Sequence, residues 1–186
     1  MAEPARRAAT YEDIVALPEN LVGEILHGVL HTQPRPAPRH ARAYSALGGN
    51  LGGAFDWGTD GPGGWWIFDE PELHLGGHVL VPDLAGWRRE RLPSLPETAW
   101  FELAPDWVCE ILSPGTTRTD RAIKMPIYAR EGIPQLWLVD PDARTLEVYH
   151  RQPDGHWLLL ATLKEDDAVQ QPPFEAVSFS LAMLWA

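Results

Sequence analysis

The chain has a single cysteine, Cys109, in 186 residues. That excludes an intrachain disulfide and a multi-cysteine zinc site. No apolar run approaches the roughly 18 residues of a membrane-spanning helix. The start, Met1-Ala-Glu-Pro-Ala-Arg-Arg, lacks the apolar stretch of a secretory signal. Positive charge is scarce: 15 Lys and Arg stand against 26 Asp and Glu, a formal net charge of −11. A simple electrostatic nucleic-acid binder shows a basic footprint, and this balance argues against one. Internal repeats and linker-like stretches are also missing. What remains is a chain with 45% apolar and 22% charged residues, ordinary for a globular protein. It is long enough to bury a sizeable core. A soluble, cytoplasmic protein is expected, with one domain over 1–186 and a flexible N-terminal tail over 1–9.

The acidic excess is uneven. Residues 51–110 hold eleven acids against three bases, Arg88, Arg89 and Arg91, and so carry −8 of the −11. Surplus carboxylates in one region make either a solvated face or a group converging on a divalent cation, which would relieve their repulsion.

Local signals set out the elements. Thr10 reads as the cap of a short helix that ends before Pro18. Val22 to His31 reads as a hairpin turning near Gly28, and Gln33 to Pro38 as a proline-rich loop. A second helix is expected over His40 to Phe55, with Tyr44, Leu47 and Leu51 on one face, although its four glycines suggest an early end. Asp56 to Gly64 is a glycine-rich loop. Trp65 to Phe68 and Val79 to Ala85 read as strands, and Arg88 to Pro105 as an irregular connector. Trp107 to Leu112 is a strand stopped by Ser113-Pro114-Gly115. Thr119 to Glu131 is a helix in which Pro126 demands a kink or a late start. Gln135 to Asp140 is a buried strand. Leu146 to His150 and His156 to Leu163 form a hairpin, and the tail from Val177 gives a short strand and a turn of helix. Strand, helix and strand from Trp107 to Asp140, after a run of hairpins, predict a mixed sheet in an α/β or α+β layout.

Three short segments carry potential chemistry. In Val81-Pro82-Asp83 the proline keeps its predecessor extended, so the Asp83 carboxylate can project from a strand bend. In Val108-Cys109-Glu110-Ile111-Leu112 the two-residue period places Val108, Glu110 and Leu112 on one face. An acid between two apolar neighbours there is costly unless paired or metal-bound. Asp120, Lys124 and Tyr128, spaced by four, share one face of a helix.

Those segments resemble the Uma2 family (DUF820) of the PD-(D/E)XK restriction-endonuclease-like superfamily. The likeness runs through Trp107-Val-Cys-Glu-Ile-Leu-Ser-Pro-Gly, then Thr116-Thr-Arg-Thr-Asp-Arg-Ala-Ile-Lys-Met-Pro-Ile-Tyr, then Ala129-Arg-Glu-Gly-Ile-Pro-Gln-Leu-Trp-Leu-Val-Asp-Pro. Gly23-Glu24-Ile25-Leu26-His27-Gly28, Pro38-Arg39-His40 and Val81-Pro82-Asp83 match upstream in the same order. The resemblance implies a restriction-endonuclease-like mixed central sheet flanked by helices and a metal-dependent DNA endonuclease. Asp83 and Glu110 would ligate Mg²⁺ or Mn²⁺, with the Ile111 carbonyl as a third ligand. Glu24 would be an accessory acid for a second metal. The superfamily expects a lysine two residues after the strand acid; here that position is Leu112, and Lys124 on the next helix would take over its role. His40, Arg39, Arg118 and Arg121 are candidate DNA contacts, with Arg35 and Arg42 as further phosphate partners. A homodimer is expected, since cutting two strands commonly needs two sites.

Each assignment has a plainer alternative. Asp83 is a turn residue, Glu110 pairs with an arginine, Lys124 makes an exposed pair with Asp120, and Glu24 is an exposed hairpin acid. His40 has a helix-start or a solvent role, and Tyr128, Trp137 and Cys109 are core. Trp65 and Trp66 pack rather than stack on bases. Two other functions stay open: a catalytically silent binding or assembly module of the same fold, and a metal-dependent hydrolase of a non-DNA substrate.

Overall fold

The computed structural model describes residues 7–34 and 36–185. The chain opens with helix α1 (Tyr11–Val15) and the hairpin β1 (Leu21–Leu26) and β2 (Val29–Pro34). His27 and Gly28 turn that hairpin with φ of 51° and 74°, the left-handed pair that a two-residue turn between twisted strands requires. Of the tail expected over 1–9, residues 1–6 lie outside the described residues. Ala9 N–H bonds to the Gly28 carbonyl at 2.8 Å, and Arg7 pairs with Asp13 at 2.6 Å.

Helix α2 (Pro38–Leu51) starts with a proline in its first turn, where the missing N–H costs nothing. It does not stop early at its glycines. It runs on into a wider π-type turn over Gly52–Asp56. Gly48 is needed for contact: a Cβ there would stand 3.1 Å from Asp69 Oδ1 and 3.2 Å from Leu84 Cδ2. Gly48 therefore lets the helix lie close on the sheet, and tertiary packing there outweighs its low propensity.

The next segment differs most from expectation. The strands are β3 (Trp65–Asp69), β4 (Leu73–Leu75), β5 (His78–Leu80) and β6 (Leu84–Arg88). β4 was not foreseen, and the single strand expected over Val79 to Ala85 is two. Val81-Pro82-Asp83 is the bend between them, where the chain leaves a four-stranded sheet, ordered β2-β1-β5-β4, and enters a six-stranded one.

The larger sheet continues with β7 (Trp107–Ile111), β8 (Gln135–Asp140), β9 (Thr145–Arg151) and β10 (Trp157–Lys164). Its order is β10-β9-β8-β7-β6-β3, and β7 and β8 are its parallel pair. Between them lie α3 (Thr117–Thr119), a π-type turn over Asp120–Lys124, and α4 (Met125–Arg130). Pro126 lacks an N–H, so regular i→i−4 bonding cannot pass through it. The chain resolves this with a wider turn, in which Met125 N–H reaches the Asp120 carbonyl. The small ladder of β11 (Ala168–Val169) and β12 (Phe179–Ser180) and a 3₁₀ turn over Leu181–Leu184 close the described chain.

The two faces of the larger sheet are buried separately. Trp107, Cys109 and Ile111 pack with α2 and Phe174, while Val108 and Leu112 pack with Ile127, Tyr128 and Leu80. This is the alternation read from the sequence, and it sends Glu110 toward α4 and the smaller sheet. No helix among the described residues is long and apolar enough to cross a membrane.

Candidate active site

Lys124 is one of two lysines in the chain, with Lys164, and it is only 1% exposed. Its Nζ lies 2.7 Å from Glu110 Oε1, 3.0 Å from Glu24 Oε1 and 3.8 Å from Asp120 Oδ1. It also donates to the Val81 carbonyl at 3.2 Å. Glu24 Oε1 accepts the Val81 N–H at 2.8 Å. Lysine and glutamate together therefore grip the bend where the chain changes sheets. Burial pushes the Lys124 pKa down, but Glu110 and Glu24 outweigh it and hold the ammonium well above its ordinary value. Tyr128 donates its hydroxyl to Glu110 Oε1 at 2.5 Å. Burial, then the neighbouring Glu110, raises the phenol well above its usual range, so it stays a donor. Burial likewise pushes Glu110 up, against the pull of Lys124.

Asp83 stands on the other side of Glu110. Its Oδ2 accepts the Ile111 N–H at 2.6 Å, and its Oδ1 lies 3.2 Å from His40 Nε2. The junction thus joins β6 to β7 through one carboxylate, and the first turn of α2 supplies the imidazole that holds it. Burial pulls His40 down, but Asp83 and then the Ile111 carbonyl overcome this, and its pKa is raised. Asp83, Glu110, Asp120, Glu70 and His40 line a cavity of about 410 Å³, with Ser113 and Thr116 at the following loop. Lys124 is not on its wall and lies behind Glu110. Among the described residues no lysine or arginine lines this cavity.

Asp120 extends the acidic set. Burial is the main cause that lifts its pKa from 3.8 to about 6, partly opposed by Lys124. The folded protein therefore keeps a proton that the unfolded chain releases. Stability should fall as pH rises between 3.8 and about 6 and level off above, by up to about 3 kcal/mol. Asp120→Asn should abolish that part of the slope in urea denaturation on either side of the window. An unchanged slope would remove Asp120 as its source.

Asp83 does sit in a bend, and its side chain also reaches the cavity. Glu110 pairs with a lysine and a tyrosine instead of an arginine. Lys124 meets Asp120, but in the interior. Glu24 is 3% exposed rather than a surface acid. His40 does sit at a helix start, in the first turn of α2, and turns inward to Asp83 rather than to solvent. Arg39 is paired with Asp142 and Arg121 with Glu147, at 3.2 and 2.8 Å. Arg42 donates to the Met183 carbonyl at 2.8 Å. Arg35 lies outside the described residues. The four-residue spacing did group Asp120 and Tyr128 with Lys124; what the sequence withheld is that both reach the buried acids, Tyr128 through Glu110 and Asp120 through Lys124. Trp65 and Trp66 carry Arg88 and Arg89 over their rings, at 4.6 and 3.8 Å.

A family model, Uma2, described as "Putative restriction endonuclease", matches residues 10–183. Among solved structures, the fold is similar to that of a chain described as a "putative nuclease belonging to DUF820" from Anabaena variabilis. The TM-score is 0.76 and the identity 26%, covering 95% of this chain and 97% of that one. A search of curated proteins gives no match.

Proposed function

Because the chain belongs to the Uma2 family and has the restriction-endonuclease-like α+β fold, we propose that it hydrolyses DNA phosphodiesters. The reaction would use a divalent cation, Mg²⁺ or Mn²⁺, at Asp83 and Glu110. The observation that carries this reading is the placement of Lys124. Strand position 112 holds a leucine, yet an ammonium 2.7 Å from Glu110 arrives from the next helix.

The donor chemistry fits a hard cation, since Asp83, Glu110 and the Ile111 carbonyl offer only oxygens. Among the described residues no three His, Cys, Asp or Glu side chains are grouped to hold a metal by themselves. A cation at Asp83 and Glu110 would complete its shell with the Ile111 carbonyl, water and substrate oxygens. When bound, the cation would polarise the phosphodiester and lower the pKa of the attacking water. The chain's own groups set the geometry. The Ile111 N–H and His40 fix the Asp83 carboxylate, and Tyr128 and Lys124 fix Glu110. Lys124 brings a permanent positive charge behind Glu110, which would hold that carboxylate in place and help, through the field of its charge, to steady the charge that develops on phosphate. Glu24, whose Oε1 already serves Lys124 and the Val81 amide, supports this role as the lysine's anchor. A part in holding a second metal would fall to its other oxygen.

The acidic cavity wall by itself repels DNA, so phosphate contacts must come from the rim. Arg118 is on the exposed side of α3. The Arg39–Asp142 pair is largely exposed and worth at most about 1 kcal/mol, so Arg39 can exchange its partner for phosphate. A cytoplasmic location goes with such a substrate. The second reading, a silent module of the same fold, draws on one observation: the Lys124 ammonium is already saturated by internal oxygens.

Incubation of the full chain with duplex DNA and Mn²⁺ or Mg²⁺ separates the two. Cleavage that stops on chelation is the expected result. Intact DNA in the presence of bound metal would overturn DNA hydrolysis and leave the module or a non-DNA hydrolase.

A further inference from the structure

A second cavity, of about 640 Å³, lies between α4 and the turn that joins β9 to β10. Arg121, Arg130, Arg151 and His156 line it, and Asp154 is its one acid. In a chain with 15 basic against 26 acidic residues, three arginines around one concavity run against the overall charge. The Asp83 cavity is the reverse, with four acids and, among the described residues, no lysine or arginine. Little in the fold neutralises the three cations. Arg121 has an acid partner, Glu147 at 2.8 Å. Arg151 gives one N–H to the Ala129 carbonyl at 2.5 Å. Arg130 is exposed, and among the described residues its guanidinium has neither a hydrogen bond nor an ion pair. The His156 side chain is 83% exposed. Converging like charges repel one another, and a bound anion relieves that repulsion.

We infer that this cavity binds the sugar–phosphate backbone of the DNA strand that leaves the Asp83 site, through Arg130, Arg151 and His156, with Arg121 at its near end. The inference rests on the DNA reading above and gives it a cationic surface that the acidic cavity lacks. The two cavities are contiguous along the chain: Asp120 lines one, and Arg121, the next residue, lines the other. Arg121 and Arg130 bound a helical segment of about 13 Å. That length matches three or four phosphates of one strand, at about 3.4 Å of axis each. Guanidinium N–H groups form a planar fork that fits phosphate oxygens. Met125 and Pro126, on the same wall, give deoxyribose an apolar face to lie on. Asp154 is the one lining group that opposes a phosphate, so its removal tests the inference with the opposite sign.

Fluorescence anisotropy of a labelled DNA duplex, titrated with the full chain in Ca²⁺ at several salt concentrations, reads this surface without cleavage. Arg130→Ala should weaken binding about tenfold and lower the slope of log affinity against log salt by about 1. Asp154→Asn keeps an oxygen for the His156 N–H and should tighten binding about threefold. Lys164→Ala makes the same charge change as Arg130→Ala at the far end of β10 and should leave affinity and slope unchanged. No binding by the wild type, wild-type binding by Arg130→Ala, an equal loss in Lys164→Ala, or no gain in Asp154→Asn would each overturn the inference. Its failure is distinct from failure of the hydrolysis reading. Binding weakened in Arg130→Ala, with DNA left intact in Mn²⁺, keeps this surface and removes the reaction. Cleavage by an Arg130→Ala protein that binds DNA as the wild type does keeps the reaction and removes this surface.

Discussion

Replacing Lys124 with methionine should destabilise the protein by about 3–5 kcal/mol, since it leaves buried acids without their counter-charge. The side chain keeps much of its volume, so the loss reports charge more than packing. Glu24, Glu110 and Asp120 are each under 5% exposed, and water cannot replace the ammonium. The cost should shrink when Glu110→Gln is added, because the residues share one network and their effects do not add. Chemical denaturation of the two single variants and the double variant gives the coupling. A Lys124→Met protein within about 1 kcal/mol of wild type would mean that the cluster is solvated, contrary to its burial.

The second large effect concerns chemistry and leaves the fold in place. Asp83→Asn keeps the shape and an oxygen for the Ile111 N–H, but removes the charge that a cation would need. Cleavage should drop by at least about a thousandfold while the unfolding midpoint stays near that of wild type. The same drop accompanied by unfolding would assign Asp83 to the sheet junction instead of to the reaction.

The sequence disclosed the parts of this site that are governed locally. A two-residue period put Glu110 on one face with Val108 and Leu112, and the fold buries those two against α4. A four-residue period put Asp120, Lys124 and Tyr128 together. What it concealed depends on contacts across the chain. Glu24 looked like an exposed hairpin acid because nothing local shows that β5 and the 81–83 bend will cover β1. The break at Val81-Pro82-Asp83 looked like part of one strand because its cause is a second sheet. The glycines after Leu47 looked like a stop because the close approach of Gly48 to Asp69 and Leu84 is tertiary. The inward turn of His40 was hidden for the same reason, since its partner lies 43 residues further along the sequence.

The central claim is that Asp83 and Glu110 hold a divalent cation at the cavity, and calorimetric titration with Mn²⁺ tests it most directly. Saturable binding by the wild-type chain, lost in both Asp83→Ala and Glu110→Ala while each variant still unfolds cooperatively, is the expected result. No binding to the folded wild-type chain, or binding that survives both substitutions, would contradict it.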